Sequence, residues 1–472
     1  MKNITYIILS LLVLNLTTTS CEGFLDITPE GQVKRDPLLS TPEGIEDALY
    51  GVYSQLRSDA LYGKELHFRT LEILSQTLWC KTDAVKAIGR YDWKHSSVIS
   101  IFDAAWTEMY KNISNVNSIL DAPLVADAQE YPFTIYKGEA LGLRAFMHFD
   151  LVRLFAEQYT INPKANGIPY ATEFSLKTPD FESLEKNYEH IIADLLEAEQ
   201  LLADENIYEN TSNFMLDRQI HFNLYAVQAT LARVYLTMGK KDEAAVYAQK
   251  VIEYGKYQLK EKTEVVNDLA GVLSKKETLF GIYFPGFYNN VNSILQQITS
   301  DGTLDLRDDF MSLYEKDASG QDYRVMAYFS ESGSGENIKY RLSKFTDIYE
   351  QNNMAANRPA ELITGINMIR IPEMYYIIAE AYMDIDNALA LEYYNAVRIH
   401  RGLEPLEDGR ILDMDLLNEE RYKEFIGEGQ TYFNMKRQNL PIVSAFDSSI
   451  THEPHSGIYQ APIPDAEYEN RN

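Results

Sequence analysis

Apolar residues recur along most of this chain at spacings of three and four, the pattern of helices with one buried face. In segment 106–120, Trp106, Tyr110, Ile113, Asn117 and Leu120 share such a face. Segment 138–159 repeats the pattern through Ala140, Leu143, Met147, Leu151, Leu154 and Phe155, and a further helix is expected over 183–202, ending before the loop that holds Asn206. The clearest local unit is 222–255. Leu224, Gln228, Leu231, Val234, Tyr235 and Met238 line one helix, which should stop at Gly239 because glycine readily takes a left-handed cap. A second helix then carries Ala244, Ala245, Ala248, Val251 and Ile252. Ala232, Tyr235, Ala244, Ala248 and Val251 fit the small and large packing positions of a tetratricopeptide repeat, a helix pair of ~34 residues. A looser relative spans 371–403, with paired helices at 379–383 and 388–402 and a shorter turn. Units this scattered predict a mainly α fold: tetratricopeptide-like helix pairs form a scaffold broken by insertions, not a continuous solenoid.

Segment 277–361 loses the helical period. It is rich in Gly, Asn, Asp and Ser, with short β-type runs at 278–284 and 339–345, and predicts irregular structure holding a few small strands. Loops are expected at 162–178, 404–410 and 448–464.

The first residues follow a different logic. Lys2 precedes an apolar run from Ile4 to Leu16, small and hydroxylic residues follow at 17–20, and then comes Cys21. That order reads as a bacterial secretory signal, and the cysteine directly after the small residues marks it as a lipoprotein signal, cleaved before Cys21 and acylated on it. The apolar run is shorter than the ~20 residues of a membrane span. The expected organisation is therefore a signal over 1–21, an N-terminal part over 22–220 and a C-terminal part over 221–472, the two parts packed as one globular unit.

Composition narrows the partners. The formal net charge of −27 opposes binding to nucleic acid or to an anionic lipid surface, so attachment to a membrane would go through the lipid anchor. With Cys21 taken by the anchor, Cys80 stands alone and no intrachain disulfide is expected. Tyr outnumbers Trp, 33 to 3, which suits both helix packing and sugar or peptide contacts. No Gly-rich phosphate loop, HExxH pair or Gly-x-Ser-x-Gly elbow occurs in the sequence. His452 and His455 read as a solvated loop, and Asp301, Asp305, Asp308 and Asp309 as a turn and helix start, lacking the alternation and central Gly of an EF-hand. No cofactor and no metal are expected.

Several motifs then converge. CEGFLDITPEG (Cys21–Gly31) is similar to a Cys-x-x-Phe-Leu-Asp-x-x-Pro start, and WTEMYKNISNVNSIL (Trp106–Leu120) to a Trp-x-x-x-Tyr-x-x-Ile-x-x-x-Asn helix. Arg370, Glu373 and Ala379–Ala381 resemble an Arg-x-x-Glu followed by Ala-Glu-Ala. Asn395, Val397, Arg398, Arg401 and Gly402 form a further block, Glu420, Arg421, Glu424, Glu428, Gly429, Lys436 and Arg437 another, and Ile463, Pro464 and Glu467 close the chain. Together they resemble the SusD/RagB family of Bacteroidetes outer-membrane lipoproteins over nearly the whole length. Asn434 stands where the pattern favours Asp, and Tyr422 where a second Arg is common. The charged residues of these blocks, Arg370, Arg398, Glu420, Arg421, Glu428 and Arg437, are expected to pair between helices and specify packing.

The resemblance implies a surface lipoprotein of the outer membrane that captures glycan, or in some members peptide, and passes it to a SusC-type TonB-dependent transporter. It implies no reaction. The other classes are a helical-repeat adhesin or scaffold and an all-helical glycosidase with two carboxylates about 5–10 Å apart. Sugar binding calls for aromatic platforms beside polar groups. The candidates are Trp79, Tyr91 and Trp93 with Asp83, Arg90 and Asp92, and a second set formed by Phe284, Phe287, Tyr288, Asn289 and Asn290. Trp106, on a periodic helix face, is expected in the core.

Overall fold

The computed structural model describes residues 35–267, 272–296, 302–314, 322–332, 338–359, 362–407 and 409–469, so the signal-type segment, Cys21 and Asp301 lie outside the described residues. Among the described residues, ten helices have nine residues or more: α1 (Pro42–Leu56), α2 (Ser96–Leu120), α3 (Phe133–Phe155), α4 (Leu184–Leu201), α5 (Leu224–Thr237), α6 (Lys241–Glu253), α7 (Ile371–Tyr382), α8 (Asn387–His400), α9 (Met414–Phe425) and α10 (Gln430–Gln438). Their starts are chemically marked. Thr41, Ser183, Asn223, Asp386 and Asp413 each accept a backbone N–H of the first turn, satisfying donors that have no intrahelical partner. Gly239 ends the α5 turn at φ +77°, a left-handed conformation that costs glycine nothing.

Consecutive helices from α1 to α8 pack side by side, α6 against α7 included, although more than a hundred residues separate those two in sequence. The stack is thus built from the pairs α3/α4, α5/α6 and α7/α8, with the chain between α6 and α7 set aside as an insertion. The small residues Ala244, Ala245 and Ala248 are buried on α6, where they permit close approach of its neighbours. One hydrophobic core runs from Leu39 to Ala461 through both halves of the chain, with Trp106 buried in it and its indole N–H donated to Glu467 at 3.2 Å.

Two helices differ from expectation. α2 begins at Ser96, ten residues before Trp106, because Val98, Phe102 and Ala105 continue the same buried face through a serine-rich stretch that conceals the period. α3 is buried without interruption from Gly138 to Phe155, so it is a central helix and not an amphipathic one. It ends at Phe155, earlier than the expected Tyr159, where Ala156 turns extended. The buried ammonium of Lys436 donates to the carbonyls of Arg153 and Ala156 at 2.7 and 2.6 Å, closing the helix end in place of water.

The insertion holds a small antiparallel sheet of β1 (Val272–Ser274), β2 (Thr278–Tyr283) and β3 (Leu362–Arg370), with β3 in the middle. β2 lies within an expected β-type run, and a strand at Lys339–Leu342, paired with Phe329–Ser332, lies within the other. β3 has no counterpart in the sequence reading. It is covered on both faces, so its residues do not alternate, and it runs directly into α7. Gly365 lets β2 and β3 close, since a Cβ there would sit 2.2 Å from the Ile282 carbonyl oxygen.

Between the insertion and α9 lies a buried charge network. Glu424 receives Arg401 at 2.9 Å, Arg370 at 2.6 Å and Arg324 at 3.3 Å, while Arg324 also meets Asp322 and Glu420 at 2.7 and 2.9 Å. Arg398 pairs with Glu420 at 3.0 Å, and Arg370 and Lys344 pair with Glu428 at 2.7 and 2.6 Å. Burial alone would raise the Glu424 carboxyl; Arg401 and Arg370 overcome it and hold the group well below the ordinary carboxylate range. Of the charged motif residues, Arg370, Arg398, Glu420 and Glu428 thus pair in this network, while Arg421 and Arg437 pair with Glu380.

Candidate functional site

The first candidate region is a short strand, Leu78–Trp79, paired antiparallel with Asp305–Leu306 and followed by a helix over Asp83–Gly89. Trp79 is half-buried. Its indole N–H donates to the Leu306 carbonyl at 3.2 Å, and Phe446 meets the ring edge-on at 5.8 Å. Trp93 is half-buried as well, donating to the Gly457 carbonyl at 2.6 Å and packing edge-on against Phe102. Asp83, Arg90 and Asp92 are exposed beside them.

Tyr91 requires a correction. It is an interior residue, 7% exposed, whose hydroxyl donates to the Leu74 carbonyl at 2.8 Å and whose ring packs against Trp93 and His452. Its ring backs the Trp93 indole and is not itself a surface. Cys80 is buried too, its sulfur 3.2 Å from the Thr82 hydroxyl. Trp79, Tyr91 and Trp93 all lean on the C-terminal segment 446–457, which holds them together.

The second region is a corner where β2 ends. Pro285 and Gly286 turn the chain, Gly286 at φ +80°, into a short helix over Phe287–Val291. Phe284 is half-buried with the Arg57 guanidinium 5.7 Å from its ring centre. Tyr288 is half-buried, Asn289 exposed, and Asn290 donates to Asp59 at 3.2 Å. Phe287 is the second correction: at 1% exposure it is sealed among Phe68, Phe345 and His67 and anchors the corner from below. Tyr283, 48% exposed at the last position of β2, immediately precedes this corner and was not singled out by the sequence. Only its place at the end of a β-type run could have drawn attention to it.

A third feature has no counterpart in the sequence reading. Tyr110, Ser114 and Asn117 of α2 face the loop 169–179 across a cavity of about 470 Å³, within the 300–1,000 Å³ common for small-ligand sites. The wall is held from beneath. Arg144 pairs with Asp194 at 2.7 Å and donates to Asn117 and to the Thr172 carbonyl at 3.1 and 3.0 Å, and Asn117 in turn donates to the Ala171 and Glu173 carbonyls. None of the candidate aromatic residues lines it. Among the described residues, no group of three His, Cys, Asp or Glu side chains is placed to hold a metal ion, and no helix is long and apolar enough to cross a membrane.

Residues 23–236 match a family described as "Starch-binding associating with outer membrane", and residues 237–468 match the SusD family. Among curated relatives, SusD-like protein P2 of Formosa agariphila is 26% identical, covering 92% of this chain and 90% of its own length. SusD-like protein P38 of the same organism is 24% identical over 93% and 92%. A SusD superfamily protein from Bacteroides thetaiotaomicron has the same fold, with a TM-score of 0.75 at 24% identity over 90% of this chain and 97% of that one. A SusD-like carbohydrate binding protein from Bacteroides vulgatus has it as well, with a TM-score of 0.70 at 20% identity over 90% and 96%.

Proposed function

The chain belongs to the SusD family, and on that premise we propose that it is a lipid-anchored nutrient-binding protein of the outer membrane, facing the cell exterior, that captures glycan and delivers it to a SusC-type TonB-dependent transporter. The observation that carries this reading is the run of family matches from residue 23 to residue 468, the first of them to a family described as starch-binding. Acylation at Cys21 would supply the anchor, and the protein itself would bind without catalysing.

The aromatic corner Tyr283, Phe284 and Tyr288 is the more open of the two surfaces. A pyranose ring can lay its apolar C–H face on such rings while Asn289, Arg57 or Asp59 meets its hydroxyls. Trp79 and Trp93 would extend the contact surface, with Asp83, Arg90 and Asp92 as polar partners. The indole N–H groups are already donated to backbone carbonyls, so these two would act through their rings.

The test is retention of the soluble chain, Glu22–Asn472, on a panel of host, plant and microbial polysaccharides and peptides, with the eluted ligand analysed for cleavage. Retention on one glycan class with the ligand intact is the expected result. Cleaved ligand would overturn the non-catalytic reading, and retention on peptides alone would assign the peptide-binding alternative. Co-purification of a SusC-type barrel with the anchored protein tests delivery separately.

A further inference from the structure

Apart from the Glu424 network, the interior holds a second charged cluster in which the charges do not balance. Arg153 of α3, Arg233 of α5, Arg421 of α9 and Arg437 of α10 line one cavity of about 60 Å³, together with Thr237 and Asn434. Among the described residues, three carboxylates meet these four guanidinium groups. Asp150 takes Arg153, and Glu373 takes Arg233 through contacts of 2.7 and 2.6 Å. Glu380 alone serves both Arg421, at 2.6 Å, and Arg437, at 2.8 and 2.5 Å. The remaining contact of Arg437 is with the amide oxygen of Asn434 at 2.7 Å, which carries no formal charge. Arg233, 4% exposed, has a buried Nη1 with no hydrogen-bond partner.

Burial lowers Arg233, but Glu373 outweighs it and raises the group above its ordinary value, so the excess registers only at its neighbours. Burial pushes the Lys436 amine, at the adjoining cavity, down to about 7, and the Arg153 charge adds to the effect. Burial also holds Arg421 below its ordinary value, with Arg437 working in the same direction against Glu380. A buried cationic surplus is costly unless a counter-charge reaches it.

We propose that this cavity binds a small inorganic anion of about the size of chloride, which supplies the absent negative charge among Arg233, Arg421 and Arg437. Size sets the class. A cavity of about 60 Å³ exceeds the ~10–15 Å³ that one water requires, yet it is far below the ~300 Å³ at which small-molecule sites begin. A sugar ring does not fit, so the site is independent of nutrient capture, and the two readings stand or fall separately. Guanidinium N–H groups converging from three helices give the ion donors whose own geometry is fixed by Glu373 and Glu380.

The probe is bromide, followed by the excess ⁸¹Br line width of the soluble chain Glu22–Asn472 and its reversal by added chloride. Two variants locate the site. Asn434→Asp places a carboxylate where the amide oxygen now accepts from Arg437, so it should replace the anion and abolish the excess line width. Thr237→Leu fills space at the cavity without changing charge and should abolish it as well. Should the second variant fail to fold, Asn434→Asp carries the test alone, since it keeps the side-chain shape and gives up the Nδ2 donation to Asn418. No saturable line width in the unmodified chain, or a line width untouched by Asn434→Asp, would overturn the proposal.

Discussion

The helix stack and the insertion it carries use the same residue types in opposite ways. In the stack, charge is turned inward: Glu139 is fully buried, receives Arg218 at 2.6 Å and His221 at 3.1 Å, and is held at about 2 by them against the effect of burial. The tyrosines follow suit, Tyr53 donating to Glu139 and Tyr62 to Asp150, both at 2.6 Å. At the corner of the insertion, by contrast, Tyr283, Phe284 and Tyr288 reach the surface with one anchor, Phe287, beneath them. A scaffold that turns most of its charged groups on one another leaves few of them to meet a nutrient ligand. A corner that leaves aromatic faces open can exchange water for a ligand. The two are joined by the Glu424 network, in which Arg324 and Lys344 of the insertion bind carboxylates of the α9 region.

That joint is the place to break the comparison. Glu424→Ala leaves Arg370, Arg401 and Arg324 buried around a void, and removing one partner of a buried pair costs about 3–5 kcal/mol. The expected result is a large fall in the denaturant midpoint, with the insertion detached or the whole chain unfolded; a midpoint within error of the unmodified protein would contradict the description of this joint.

Phe284→Ala with Tyr288→Ala should do the opposite. Affinity for the retained glycan is expected to fall about 10–100-fold, or ~1.4–2.7 kcal/mol, while the melting temperature falls modestly, since Phe284 packs only on the edge of the core and Tyr288 lies outside it. The matching pair Trp79→Ala and Trp93→Ala should lower stability as well as affinity, since both indoles pack and donate hydrogen bonds. This contrast sharpens the distinction between an open surface and a packed one.

A second effect on stability comes from Glu72. It is fully buried, and although Gly429 donates to its Oε1 at 3.0 Å, burial raises its pKa to about 7. The unfolded chain gives up this proton near 4.5, whereas the folded chain keeps it to about 7. The folded state is therefore not penalised below pH 4.5, and it loses stability as pH rises between those two values. Glu72→Gln should remove this slope, on the order of 3 kcal/mol across the window. Equal slopes in denaturant titrations of the two proteins would refute it. The smallest expected change is Asp413→Ala, which removes the side chain accepting Leu416 N–H at the start of α9 and should cost ~1 kcal/mol by the same titration.

Much of the scaffold was legible because its signals are local. The α5/α6 pair follows from spacing, small residues and one glycine, all within 222–255. The segments α2 and α3 were legible only in part, because serines interrupt the period of one and the other is buried all round, which erases the amphipathic pattern. β3 was missed for the same reason, being covered on both faces. The site was less legible still. Composition marks Tyr91 and Phe287 as aromatic but cannot tell that their rings point inward, and Tyr283 emerges only because β2 happens to end at the surface. Arg421 and Arg437 share one motif block, but Arg153 and Arg233 come from helices far from it in sequence, so the convergence of all four belongs to tertiary packing.

The central claim is that the chain captures glycan on the open corner of its insertion. Titration of the retained oligosaccharide into the unmodified chain and into the Phe284→Ala/Tyr288→Ala protein, with melting temperatures matched, tests it directly. The account predicts intact ligand and an affinity reduced at least about tenfold in the variant. Equal affinity in both proteins would move the site away from this corner and contradict the claim.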